Sequence, residues 1–128
     1  MERRAWGKEK EMSPEYKPDK RFACPCCGAN YIDIRLERLV GHIEQRAGEK
    51  LTITSGYRCR KHNRTVGGSE TSSHLKGLAA DILTDISRLR YRVIGAAIRL
   101  GFHRIGVGSN FVHLDIDRQK APRVIWVY

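Results

Sequence analysis

Apolar residues at Ile32, Leu36, Leu39, Val40 and Ile43 recur at helical spacing. They predict an amphipathic helix from Ile32 to about Ala47, with Asp33 as cap or first-turn acid and Gly48 as the stop. Leu51-Thr52-Ile53-Thr54 reads as a short strand ended by Ser55-Gly56, and the polar stretch from Arg58 to Ser73, with Gly67-Gly68 and several hydroxyls, reads as loop. Leu78 to Leu83 reads as an apolar strand interrupted by one charge, Asp81. A second helix fits Ile86 to Leu100, beginning near Asp85 and closing at Gly101, with Ile86, Leu89, Val93, Ala96, Ala97 and Leu100 on its apolar face. Three short strands follow, near 103–107, 111–117 and 122–128. This order predicts a small α+β domain whose largely antiparallel sheet is flanked by two main helices.

The first 20 residues lack such periodicity. Residues 1–20 carry alternating charges, Pro14 and Pro18, and read as a flexible arm docked through Trp6 or Tyr16, ahead of one domain over 21–128. A hydrophobic content of 41% in 128 residues excludes a disordered chain and bounds the protein to a single core. No apolar stretch is long enough to cross a bilayer. Met1 to Lys20 lacks the apolar segment of a secretory signal, so ordinary secretion is not expected if this is the native start. A monomer without a membrane span is the expectation.

Charge narrows the partners. The net charge of +10 favours polyanions: nucleic acid, anionic lipid or an anionic cell wall. Taken singly, basic residues such as Arg88, Arg90, Arg92 and Arg99 read as a solvated helix face. The chain has neither a basic helix interleaved with aromatics nor a finger-type spacing, so nucleic acid is not the expected partner.

The candidate chemistry lies in Ser72-Ser73-His74-Leu75-Lys76-Gly77-Leu78-Ala79-Ala80-Asp81 together with Phe111-Val112-His113-Leu114-Asp115. Asp81 and His113 each interrupt an apolar strand, where a carboxylate is costly to bury unless paired or bound to a metal. Strand alternation puts Phe111, His113 and Asp115 on one face. From the residues alone two readings stand: a buried hydrogen-bonded pair of Asp81 with one histidine, or three protein ligands around a metal with an open fourth position.

Further blocks bear on that choice. Ser55-Gly56-Tyr57-Arg58, His62-Asn63, Val66-Gly67-Gly68, Ser73-His74-Leu75-Lys76-Gly77, Ala79-Ala80-Asp81-Ile82, Gly101-Phe102 and Phe111-Val112-His113-Leu114-Asp115 occur in this order. Over residues 22–128 the chain resembles the zinc D-Ala-D-Ala carboxypeptidase family, small murein peptidases that include phage endolysins and endopeptidases and share their fold with the Hedgehog signalling domain. The resemblance implies one catalytic zinc held by His74, Asp81 and His113, and Arg58 facing the substrate as a carboxylate clamp or a carbonyl polariser. It implies peptidoglycan stem peptides or crosslinks as substrate, with action at the cell wall or periplasm, a lysin released from the cytoplasm being one route. Better-known members place Glu, Asp or His two or three residues before the last zinc histidine, where this chain has Phe111 and Asn110. Asp115 is therefore the candidate for general base or for the partner that orients a ligand histidine, with His103 and His62 as further candidates. The missing base admits an alternative, a non-catalytic zinc-binding cell-wall module of the same fold. Ser72 or Ser73 is read as lining the pocket or satisfying a turn, and Trp126 as covering the core.

Cys24-Pro25-Cys26-Cys27 and Cys59 pose a separate question. Cys24 and Cys27 are spaced C-x-x-C, Cys59 and His62 C-x-x-H, which allows a structural zinc on Cys24, Cys27, Cys59 and His62 with Cys26 spare. A disulfide from the Cys24–Cys27 cluster to Cys59, or free buried thiols, are the rivals.

Overall fold

A computed structural model describes residues 16–128. In chain order its elements are a 3-10 turn (Lys20–Phe22), helix α1 (Ile34–Ala47), strand β1 (Ile53–Ser55), a short helix α2 (Arg60–Thr65) and a second 3-10 turn (Ser73–Lys76). Strand β2 (Ala79–Leu83), helix α3 (Ser87–Arg99) and strands β3 (Arg104–Val107), β4 (Phe111–Asp115) and β5 (Val124–Val127) complete the domain.

Helix α1 starts and stops where its chemistry directs. The Asp33 carboxylate accepts from the Arg35 amide, and Gly48 takes the left-handed conformation (φ 79°) that ends the helix. Helix α3 begins at Ser87 with no side-chain cap; Asp85, the expected start, stands exposed. Leu36, Val40 and Ile43 of α1 pack with Val93, Ala96 and Ala97 of α3 against one face of the sheet, which contributes Ala80, Ile82, Ile105, Val112 and Leu114. Removing each of the larger side chains from water stabilises the fold by roughly 1.5–3 kcal/mol.

The sheet runs β1-β2-β4-β3-β5 and is antiparallel except where β5 lies parallel to β3. In the β2–β4 ladder Asp81 faces His113 and Ile82 faces Val112. Because side chains alternate across a strand, Ile82 and Val112 enter the core while Asp81, His113 and Asp115 are delivered to the opposite face. That face carries the site.

Two expectations need correction. The segment expected as loop from Arg58 to Ser73 contains α2 and the start of the second 3-10 turn. Arg-Lys-His-Asn-Arg-Thr has no apolar period to announce a helix; its start is closed instead by the Cys59 sulfur, which accepts from the His62 amide. Trp126 does not cover the core. Its ring lies against Gly106, where an added Cβ would come within 2.7 Å of it, and its centroid is 5.4 Å from that of His113. The reading of residues 1–15 as a flexible arm, with Trp6 as a dock, lies outside the described residues. Tyr16, the other expected dock, donates its hydroxyl to Glu37 at 2.9 Å.

Candidate metal centre

The three candidate ligands come from three elements. His74 belongs to the 3-10 turn, Asp81 to β2 and His113 to β4. The turn is held at both ends. The Ser72 hydroxyl accepts from the His74 amide at 3.2 Å, and Gly77 closes the turn at φ 71°, against the Tyr31 carbonyl, where no side chain would fit. Ser73 Oγ and Lys76 Nζ both donate to Asp117 Oδ2, at 2.7 and 3.1 Å, tying the turn to the end of β4.

One donor atom from each of His74, Asp81 and His113 lies within 4.8 Å of the other two, and all three residues are buried. His74 Nε2 is 3.3 Å and His113 Nδ1 2.9 Å from Asp81 Oδ1. The outer nitrogen of each ring is engaged elsewhere. His74 Nδ1 donates to the Gly56 carbonyl and His113 Nε2 to Asp115 Oδ2, each at 2.7 Å. A carbonyl can only accept, so the His74 proton sits on the outer nitrogen and its inner nitrogen presents a lone pair. A neutral His113 bonded to ionised Asp115 does the same. Two imidazole lone pairs and a carboxylate oxygen aimed at one point can hold a cation between them, and the donor set suits zinc.

With protons in place of a cation, the same contacts become hydrogen bonds from the rings to Asp81. Burial alone would raise the Asp81 carboxyl, but hydrogen bonds from His113 and His74 outweigh it and hold the group well below the usual carboxylate range. Burial would lower His113; the bonds to Asp115 and Asp81 overcome it and raise its pKa.

Asp115 is fully engaged behind His113. Its Oδ2 takes the ring proton, while Oδ1 accepts from Arg104 Nε at 2.8 Å and from the Asp117 amide at 3.2 Å. Arg104 also donates to the Ala121 carbonyl and stacks over Trp126, its guanidinium carbon 4.9 Å from the ring centroid. Arg58 is fixed on the other side: Nε donates to Ser55 Oγ, Nη1 to Asn63 Oδ1, and Nη2 stands 3.6 Å from Asp81 Oδ2. Gly56 and Asn63 stood in the family-like blocks with no role assigned, Asp117 was signalled only by continuing the strand alternation two beyond Asp115, and nothing marked Arg104 as a support.

A cleft of about 360 Å³ opens over the three ligands, walled by Arg58, Gly68, Ser72, Lys120, Trp126 and Tyr128 among others. Its described lining holds no carboxylate besides Asp81 and Asp115 and no imidazole besides His74 and His113; His62 and His103 lie outside it.

The thiols collect elsewhere. The sulfurs of Cys24, Cys27 and Cys59 lie within 4.8 Å of one another, and Cys26 Sγ is 3.8 Å from Cys59 Sγ. All four thiols are free. His62 contributes its backbone amide to the Cys59 sulfur, and its ring is not in the group. Burial raises the Cys24 thiol, but the amides of Cys59, Cys27 and Cys26 outweigh it and lower its pKa to about 6.

The family profile described as Peptidase M15 matches residues 19–115, well over half of the chain. The protein belongs to the Peptidase M15 family, a family of zinc-dependent peptidases, and its α+β fold is compatible with that family. A search of curated proteins returned no match.

Proposed function

We propose that the protein is a zinc-dependent peptidase that cleaves peptidoglycan stem peptides or their crosslinks. The observation that carries the reading is the convergence of His74 Nε2, Asp81 Oδ1 and His113 Nδ1 beneath an open cleft, with the outer nitrogen of each ring already held. A zinc ion bound there supplies a Lewis acid for the scissile carbonyl and acidifies a water. Arg58, with Nε and Nη1 held by Ser55 and Asn63, keeps Nη2 beside Asp81 and so polarises the carbonyl rather than gripping a distant carboxylate. Asp115 fixes the His113 ring and its tautomer. Water attacking the carbonyl would give up a proton to solvent, and Tyr128, on the cleft wall, would pass its phenol proton to the leaving amine and regain one from solvent. Partial burial raises the Tyr128 pKa against the hydrogen bond with Trp126, and the charges of Asp81 and Asp115 add to it, so the phenol keeps its proton at neutral pH. The +10 charge favours an anionic wall.

One observation favours a second reading, a non-catalytic zinc-binding wall module: the described cleft lining offers no further carboxylate as base. Digestion of purified sacculi separates the two. The peptidase reading expects new amine termini and altered muropeptides, abolished by a chelator and restored by zinc. Sacculi that bind zinc-loaded protein yet give unchanged muropeptides would establish the module instead.

A further inference from the structure

The peptidase reading leaves the thiols without a task, although they are the other convergent donor set among the described residues. The chain from Cys24 to Ala29 folds back on itself: the Gly28 amide donates to the Cys24 carbonyl at 2.8 Å and the Cys24 amide to the Ala29 carbonyl at 2.7 Å. Gly28 makes the reversal at φ 79°, a conformation that side chains rarely adopt. This turn presents Cys24, Cys26 and Cys27, and Cys59 reaches it from the start of α2. Backbone amides point at the sulfurs, Cys59 N to Cys24 Sγ at 3.5 Å and His62 N to Cys59 Sγ at 3.4 Å, as suits thiolates.

We propose that Cys24, Cys26, Cys27 and Cys59 form a second metal site that binds one zinc ion as thiolates, separate from the His74–Asp81–His113 centre. A tetrahedron with metal–sulfur bonds of about 2.3 Å has edges of about 3.8 Å. The sulfurs of Cys24, Cys27 and Cys59 fall within 4.8 Å of one another, and Cys26, outside that trio, meets it through Cys59 at a sulfur spacing of 3.8 Å, without any disulfide. Binding forms four zinc–sulfur bonds and releases to solvent the protons of those thiols still protonated, with no change of oxidation state. Zinc is favoured because an all-thiolate shell suits a soft or borderline ion over calcium or magnesium.

The site has a structural consequence. It joins the segment after the first 3-10 turn to the strand exit that carries Gly56, Arg58 and Cys59. That junction is already close: the Tyr57 amide donates to the Phe22 carbonyl at 2.8 Å, and a Cβ on Gly56 would come within 2.6 Å of the Phe22 backbone. A zinc clamp there holds the Gly56 carbonyl on His74 and Arg58 on the cleft.

The test is metal stoichiometry on the full, reduced chain by native mass spectrometry. Two zinc ions per chain are expected in the wild type, one in C24S or C59S, and one in H113A. Cobalt substitution of the unmutated chain gives a reading that does not depend on variants folding. Thiolate-to-cobalt charge-transfer absorption is expected, and it should persist in H113A. A wild type that takes up one zinc and loses it in H113A, or a reduced chain whose cobalt form lacks thiolate charge transfer, would overturn the proposal. So would a chain that forms a Cys59 disulfide in air and takes up no second metal after reduction. None of these readouts depends on peptidase activity, so the clamp and the peptidase reading can fail separately.

Discussion

Asp115 is the residue whose surroundings most constrain the chemistry. Both of its oxygens are committed, one to the His113 ring and one to Arg104 and the Asp117 amide, and the residue is 2% exposed. A carboxylate so placed sets ring orientation and basicity rather than meeting water. Asp115→Asn is therefore expected to weaken zinc binding about tenfold, and Asp115→Ala about a hundredfold, by competition titration with a chromophoric chelator. An Asn variant that binds zinc as the wild type does but has lost all turnover would make Asp115 the base. Arg58 gives a complementary prediction. If Nη2 polarises the scissile carbonyl, Arg58→Lys lowers kcat by about 10²–10³-fold with little change in KM. A raised KM with kcat intact would instead mark a substrate clamp. For Tyr128→Phe, a lower kcat with unchanged zinc content is expected; wild-type kcat would remove the phenol from proton transfer.

Elements explain why those residues stand where they do, and how far the sequence showed it. That Asp81, His113 and Asp115 turn away from the core was readable, because polar groups within apolar strands leave the buried face, whereas the pairing of Asp81 with His113 was not. Helix α1 was readable from its spacing and its Asp33 and Gly48 ends. Helix α2 was not: six polar residues capped by a sulfur carry no period and none of the usual cap residues. Nor was the return of β5 parallel to β3, which brings Trp126 to the site face, since a pairing between distant segments leaves no trace in local pattern. Gly56 illustrates the same limit. It reads as a turn glycine, yet its role is close approach to the Phe22 backbone while its carbonyl receives the His74 proton. Gly56→Ala is expected to destabilise the protein by about 1–3 kcal/mol and to weaken zinc binding together with stability. An Ala variant with the wild-type urea midpoint would show that the contact can relax.

Across the described residues, α1 and α3 cover one sheet face and leave the other to the cleft. Among the described residues no helix is long and apolar enough to cross a membrane. Charge also supports the fold away from the cleft. Arg21 bridges Asp19 and Glu44, at 2.8 and 2.6 Å, joining the first 3-10 turn to α1. The Arg21 side chain lowers the Asp19 carboxyl. At Glu44 burial acts upward but is outweighed by Arg21 and the Leu51 amide. Both folded pKa values thus lie below the ordinary 3.8 and 4.5, so this contribution is fully present above those values and is lost as pH falls through the lowered ones. Urea midpoints should fall on acidification below about pH 4, and less steeply in Arg21→Met; parallel curves for the two proteins would place the acid sensitivity elsewhere. The proposed chemistry depends on one position in space. Diffraction from zinc-loaded crystals on either side of the zinc absorption edge locates the ion directly. An anomalous peak bonded to His74 Nε2, Asp81 Oδ1 and His113 Nδ1, beneath the cleft, is the predicted result. Zinc-dependent hydrolysis by a protein with no peak among those three atoms would contradict it.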